Sequence, residues 1–127
     1  MHDNSQIEEV DRLFHNGVAA FNDRQFYEAH EYWEEIWLDF KLQDALFIQG
    51  LIQLAVCYFH LFNKNHKGAR SMLKKCLGKF ERFDLVRGIN VLELKSEIEI
   101  VQKYLNNINI NDDISGCYII KLKVIHE

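Results

Sequence analysis

The sequence predicts an all-α protein, a single-domain bundle of four to five helices with a short extended C-terminal arm. Two observations favour this fold class. The 127-residue chain contains no proline, a residue that interrupts helix interiors, and its apolar residues recur at spacings of three and four along most of its length. A chain of this length buries a sizeable core as one domain. We therefore predict one domain over residues 1–127, with a helical core over about 5–107 and an arm over about 108–127.

The first two predicted helices cover residues from about 5 to 22 and from about 24 to 39. Asn22 and Asp23 interrupt the first helix and are residue types that cap the start of the next one. The residues that repeat at spacings of three and four along the first helix are Ile7, Val10, Phe14, Gly17, Val18 and Phe21. On the second helix, an acidic side predicted to face solvent consists of Glu28, Glu31, Glu35 and Asp39.

The third predicted helix runs from about 45 to 62 and is apolar nearly all round, which is typical of a central helix. Asp44 is suited to cap its start. We predict an inward stripe made of Leu46, Gln49, Gly50, Gln53, Cys57 and His60.

Two further helices are predicted from about 66 to 84 and from about 90 to 107, and Gly88 predicts a turn between them. In the segment from Tyr118 to Ile125, apolar and polar residues alternate in part, which indicates either an edge strand or an extended arm. The stripe of the fifth helix consists of Val91, Leu94, Ile98, Val101 and Leu105.

The net charge of −4 is unevenly distributed. Residues 1–44 contain 11 acidic and 3 basic residues, whereas residues 64–87 contain 8 basic and 2 acidic ones. We favour an arrangement in which acidic and basic helices are neighbours over a basic face for an anionic partner. Because the chain is acidic and contains no known nucleic-acid motif, no nucleic-acid partner is expected.

The three cysteines, Cys57, Cys76 and Cys117, lie far apart and form no Cys-x-x-Cys pair. This pattern favours a reducing compartment over a disulfide framework or a structural zinc site. The N-terminal residues lack a signal-peptide pattern, and polar residues interrupt the apolar run over 45–62, so no membrane span is expected. We expect a soluble cytoplasmic protein, or one of the plastid stroma if it is organelle-encoded.

Residues 29–37 read Ala-His-Glu-Tyr-Trp-Glu-Glu-Ile-Trp. At helical spacing, one face of this segment carries His30, Trp33, Glu34 and Trp37. Such a stripe normally faces a core, where polar groups need partners. We therefore expect a buried cluster in which His30 and Glu34 contact polar side chains of the third helix, namely Gln49, Gln53 and His60. Gly50 is expected to let another helix approach closely.

Three interpretations of this cluster remain open from sequence. It is a hydrogen-bonded core network that fixes helix register in a protein-interaction module, or it is a ligand pocket walled by Trp33 and Trp37. The pocket interpretation includes a divalent metal ion held by His30, Glu34 and His60. The ligand or partner is a small molecule or a protein, and self-association is left open.

The third interpretation is a metal-dependent, hydrolase-like enzyme in which Glu34 or Glu31 is the general base. The His-Glu-x-x-Glu (HExxE) spacing from His30 differs from the zincin motif, because Glu34 replaces the second histidine. No nucleophile elbow, phosphate loop or cofactor fingerprint is present. Whether the protein is an enzyme is therefore undecided from sequence, as is any cofactor.

Residues 21–37, followed by Gln-Gly-Leu-Ile-Gln-Leu-Ala at 49–55, His60 and Gly-Ala-Arg at 68–70, resemble the signature of domain-of-unknown-function family 309. The resemblance covers about residues 8–82 and implies a small all-helical bundle. The resemblance implies no particular activity, because the family is named for having no assigned function. The signature positions that it implies are His30, Glu31, Glu34, Trp37, Gln49, Gly50, Gln53 and His60.

Overall fold

The computed structural model describes residues 3–109 and 113–125. The all-α prediction is confirmed: five α-helices account for most of these residues, and the one sheet is a two-residue by two-residue hairpin. The helices are α1 (Asn4–Asn22), α2 (Phe26–Asp39), α3 (Ala45–Phe62), α4 (His66–Phe80) and α5 (Val91–Asn107). The hairpin pairs β1 (Leu85–Val86) with β2 (Ile89–Asn90), and a short 3-10 helix covers Ile114–Gly116.

The helices pack in chain order, α1 on α2, α2 on α3, α3 on α4 and α4 on α5. Helices α2 and α3 are antiparallel, since the ring of Phe26 stacks on Tyr58 and on Phe62. At the other end of α3, a Cβ on Gly50 would lie 2.6 Å from the ring of Phe80. The predicted close approach of a helix at Gly50 is therefore confirmed, and the approaching helix is α4.

The start of α1 has a capping box, in which Asp3 and Gln6 satisfy each other's backbone N–H groups. The prediction that Asn22 and Asp23 cap α2 is wrong, because Asp23 is instead the C-cap of α1. Helix α2 begins after Arg24, which has a φ of 62°, and its N-cap residue Gln25 makes no side-chain capping bond. Asn22 is left available for a partner elsewhere in the fold.

Asp44 occupies the N-cap position of α3, but its side chain makes no capping bond. The carboxylate instead accepts a hydrogen bond of 2.5 Å from Nε of Arg87, which also reaches Asp11 at 3.4 Å. Arg87 and Gly88 have φ values of 50° and 80° and make the predicted turn between β1 and β2. The turn is thereby tied to both α1 and α3.

Helix α4 ends at Phe80, not at the predicted position 84. Phe80 is the last residue of its apolar stripe, and the chain then turns so that the ring of Phe83 comes within 6.0 Å of Phe47. The stripe of α5 is confirmed in full, since Val91, Leu94, Ile98, Val101 and Leu105 are all buried.

After the 3-10 helix, residues 117–125 run extended across α1 and α3, and Val124 forms a bridge with Ile89 of β2. The predicted extended arm is therefore present. Its residues 110–112 and 126–127, like residues 1–2 of the predicted domain, lie outside the part of the chain that the structure describes.

One helix, α3, is long and apolar enough by length and composition to cross a membrane, with a mean hydropathy of 1.7 over its 18 residues. From sequence, no apolar run of this length was expected. Half of this window is buried inside the molecule, and a central helix of a bundle meets the same criterion.

Candidate functional site

The residues predicted to form a site lie on neighbouring faces of α2 and α3. The rings of Tyr27 and Phe59 meet at 5.5 Å and set the antiparallel register of the two helices. Because both helices rise by the same amount per residue, counting back from this pair puts His30 level with Val56 and Trp37 level with Gln49. We call this outward-facing area the motif surface, and it consists of Tyr27, His30, Glu34, Trp37, Gln49, Gln53, Phe59 and His60.

His30 and Glu34 pair with each other along α2. The Nε2–Oε2 distance is 2.6 Å, and Nδ1 of His30 lies 3.3 Å from the carbonyl oxygen of Tyr27. The two side chains are 23% and 42% exposed, so the expectation of a buried cluster is wrong. The buried face of α2 is made by the apolar residues Phe26, Ala29, Trp33 and Ile36.

The two tryptophans of the motif have separate surroundings. Trp33 is fully buried, and its Nε1–H donates to the carbonyl oxygen of Phe14 at 3.2 Å. A Cβ on Gly17 would lie 2.1 Å from that nitrogen, so the glycine makes room for the indole. Trp37 is 38% exposed and belongs to the motif surface. Trp33 therefore locks α1 to α2, and only Trp37 can meet a ligand or partner at the surface.

The inward stripe predicted for α3 is largely wrong. Only Gly50 and Cys57 of that stripe are buried, whereas Gln49, Gln53 and His60 are half-buried and Leu46 is exposed. An apolar periodicity that covers the whole helix does not reveal which side is inside. The interior is filled instead by the bulkier side chains of Phe47, Leu51, Leu54, Tyr58 and Leu61.

The polar groups of α3 differ in how they are satisfied. Nδ1 of His60 lies 3.3 Å from the side-chain nitrogen of Asn65, within the α3–α4 connection. The Oε1 atom of Gln53 is buried and has no hydrogen-bond partner among the described residues. Both ring nitrogens of His66, at the start of α4, are also buried without a hydrogen-bond partner among the described residues. An unsatisfied buried polar atom costs on the order of 1–3 kcal/mol, so the Gln53 oxygen marks a place where a donor is needed.

Glu31 is exposed beside the motif surface, on the predicted acidic side of α2, whose solvent exposure is confirmed. It lines a shallow open depression with His30 and Glu34, and its other lining residues are Glu35, Leu38 and Asp39. Gly50 lies beneath Phe80 and faces away from the motif surface.

Within residues 3–109 and 113–125, no group of three or more His, Cys, Asp or Glu side chains is arranged to hold a metal ion. The structure brings His30 and Glu34 together, but not with His60 as a third ligand. The metal site made of these three residues remains a prediction.

The cysteines are free and buried. Burial raises the pKa of Cys57 to about 12 and that of Cys117 to about 11, and it raises the pKa of Cys76 well above its ordinary range. Thiols with such high pKa values are poor nucleophiles. Their buried placement gives the three cysteines a structural role.

The exposed apolar side chains on and around the motif surface were not predicted from sequence. Large side chains on α2 and α3 that were assigned to no site are exposed, namely Tyr27, Leu38, Leu46, Phe59 and Phe62. The signal was present in the composition of α3, which is apolar on every side, including the side that a bundle leaves open.

The family model described as Domain of unknown function (DUF309) matches residues 14–72. No curated protein matches the chain. No solved structure matches it either. The matched span runs from within α1 into α4 and includes every residue of the motif surface. Residues 14–72 are therefore similar to the domain-of-unknown-function family DUF309.

Proposed function

We propose that this protein is a protein-interaction module whose motif surface docks a second copy of the same chain. The observation that carries the proposal is the concentration of exposed apolar side chains around the motif, where Tyr27 is 51%, Trp37 38% and Phe59 38% exposed. Contiguous apolar patches on a protein surface mark interaction sites. An open, shallow surface with a paired His30 and Glu34 suits a macromolecular partner better than an enclosed pocket for a small molecule.

The composition of α3 supports the same proposal. Only half of this apolar helix is buried inside the molecule. Its outward residues include Ile52 and Val56, which are half-buried, and Phe59, which is exposed. Covering these side chains removes apolar area from water, the main favourable contribution to protein association.

Charge complementarity favours a second copy as the partner. Helix α2 contains five Asp or Glu residues and no Lys or Arg, and α4 contains five Lys or Arg residues and no Asp or Glu. Both helices pack against α3. A two-fold axis that runs parallel to α3 in the plane of contact would bring α2 of each copy against α4 of the other. Both of these contacts would join an acidic to a basic surface, which favours this pairing over others.

Charge reversal tests the proposal. We expect a dimer for the wild-type chain in sedimentation velocity, and monomers for the double variant Glu31→Lys/Glu34→Lys and for the double variant Lys75→Glu/Lys79→Glu. An equimolar mixture of the two variants should form dimers again, because each contact then joins opposite charges. The matched control reverses charges on α5, with Glu99→Lys and Lys103→Glu, and should leave the dimer intact.

A wild-type chain that stays monomeric up to about 100 µM, a range that covers transient interfaces, would overturn the proposal. Variants that remain dimeric would also overturn it. For a monomeric chain, the metal content of the purified protein beside that of a His30→Ala variant then tests the ligand-site alternative. A stoichiometric metal ion present in the wild type and lost in a folded variant would favour that alternative.

A further inference from the structure

We infer that a second site, formed by α1, α3, α5 and the β-hairpin on the side of α3 that bears Tyr58, binds an extended peptide. In this chain the site is filled by its own residues 117–125, which we call the C-terminal segment. The inference does not depend on the proposed function, because it uses a different face of α3 and different contacts.

Asn22, at the end of α1, recognises the backbone of the C-terminal segment. Its Oδ1 atom accepts from the N–H of Leu122 at 2.7 Å, and its Nδ2 atom donates to the carbonyl oxygen of the same residue at 2.9 Å. This double hydrogen bond mimics a neighbouring β-strand. It requires an extended backbone at that position but no particular side chain.

Tyr58 of α3 makes the second backbone contact. Its hydroxyl accepts from the N–H of Ile120 at 2.9 Å and donates to the carbonyl oxygen of Tyr118 at 2.8 Å. Burial raises the pKa of this phenol, so the hydroxyl keeps the proton that it donates. Two helical side chains therefore bind the backbone of three segment residues.

The β-hairpin holds the end of the segment. The N–H of Ile125 donates to the carbonyl oxygen of Gly88 at 2.8 Å, beside the bridge between Val124 and Ile89. A Cβ on Gly88 would lie 2.6 Å from the carbonyl oxygen of Ile125. The glycine at this turn thus permits the close approach of a strand, as in peptide recognition by β-augmentation.

Side chains of the segment supply selectivity. Cys117, Ile120 and Leu122 are buried in the site. At its outer edge, Tyr118 donates to Glu97 at 2.8 Å and Lys123 pairs with Glu93 at 3.1 Å. The ligand class is therefore an extended peptide with small or apolar residues at positions 1, 4 and 6 and a basic residue at position 7. Position 1 corresponds to Cys117 and position 7 to Lys123.

The resident segment competes for this site at a high effective concentration, because it is joined to the same chain. A peptide from another molecule, including the same segment of a second copy, binds when the resident one is weakened. The experiment therefore weakens the resident segment in the full-length chain and offers the natural sequence as a labelled peptide.

The variant is Leu122→Pro, which removes the N–H that Asn22 accepts. The probe is a fluorescent synthetic peptide with the wild-type sequence of residues 113–125, followed by fluorescence anisotropy. We expect the peptide to bind the variant about tenfold or more tightly than the wild-type chain. Adding Asn22→Ala to the variant should weaken binding again by about tenfold.

Two controls match the experiment. A peptide that carries Leu122→Pro itself should not bind, and a full-length chain with the exposed substitution Lys121→Ala should behave like the wild type. A folded Leu122→Pro chain that binds no peptide, or that binds both peptides equally, would overturn the inference.

Circular dichroism reports whether the Leu122→Pro chain folds alone. If it does not, recovery of helicity on adding the wild-type peptide supports the inference, and failure to recover overturns it. The milder variant Ile125→Pro removes only the bond to Gly88 and should bind the peptide with intermediate affinity.

Discussion

The two sides of α3 differ in what covers them. On the side of Tyr58, the C-terminal segment buries Ile120 completely, and the hydrogen bonds of Tyr58 are satisfied. On the side of Phe59, apolar side chains stay partly exposed, and the Oε1 atom of Gln53 has no donor among the residues that the structure describes. One helix thus has a side completed by its own chain and a side that the chain leaves open.

This difference separates the residues that hold the fold together from those that stay accessible to solvent. Contacts on the covered side connect residues far apart in sequence, such as Asn22 and Leu122, and so hold the fold together. The motif surface adds little to the core, because His30 and Glu34 are neighbours on one helix and remain accessible to solvent. The family signature over 14–72 includes both kinds of residue, since Trp33 lies in the core and Trp37 at the surface.

The largest contrast is expected for apolar side chains cut back to alanine. Ile120→Ala should lower the free energy of unfolding by about 2–5 kcal/mol, because it opens a cavity under the covered side. Leu46→Ala, on the open side, should cost less than about 1 kcal/mol. Urea denaturation of both variants measures the difference, and equal losses would show that the two sides contribute alike.

Asn22→Ala should have the next largest effect. It removes both hydrogen bonds to Leu122 and leaves a partly buried backbone N–H unpaired, at a cost of about 1–3 kcal/mol. The control is Asn63→Ala, which removes only an exposed bond within the end of α3 and should change stability by less than about 0.5 kcal/mol. A neutral Asn22→Ala variant would contradict the assigned role of the segment.

Alkaline pH should weaken the covered side. Burial raises the pKa of Cys57 from 9.0 to about 12, so the unfolded chain loses this proton at lower pH than the folded one. The stability due to the protonated thiol is therefore complete below about pH 9 and is lost as the pH rises toward 12, at about 1.4 kcal/mol per pH unit. Urea titrations at increasing pH should show a shallower loss for Cys57→Ala, and identical slopes would contradict the prediction.

Glu34→Gln should have the smallest effect on stability. The His30–Glu34 pair is exposed, and such pairs contribute about 0–1 kcal/mol. Thermal unfolding of the variant should match the wild type, with His30→Ala as the comparison. A loss above about 2 kcal/mol would indicate that Glu34 belongs to a hydrogen-bonded core network, one of the three interpretations of the motif.

The sequence by itself determined the helices. Spacings of three and four located all five, and the stripe of α5 was correct in full because an amphipathic helix has one apolar side. It also located the pair of His30 and Glu34, since residues four apart on a helix meet without help from the rest of the fold.

Only the tertiary structure decided which side of α3 is inside. That helix is apolar all round, so the spacing of its apolar residues did not show which side faces the core. Packing of the bulky side chains placed Phe47 and Tyr58 inwards, and Gln49 and Gln53 lie on the outer side. The partner of Asn22 was equally invisible in the sequence, because Leu122 lies 100 residues away. Contacts of that separation form only when the chain has folded, and they decided which side of α3 is covered and which stays open to solvent.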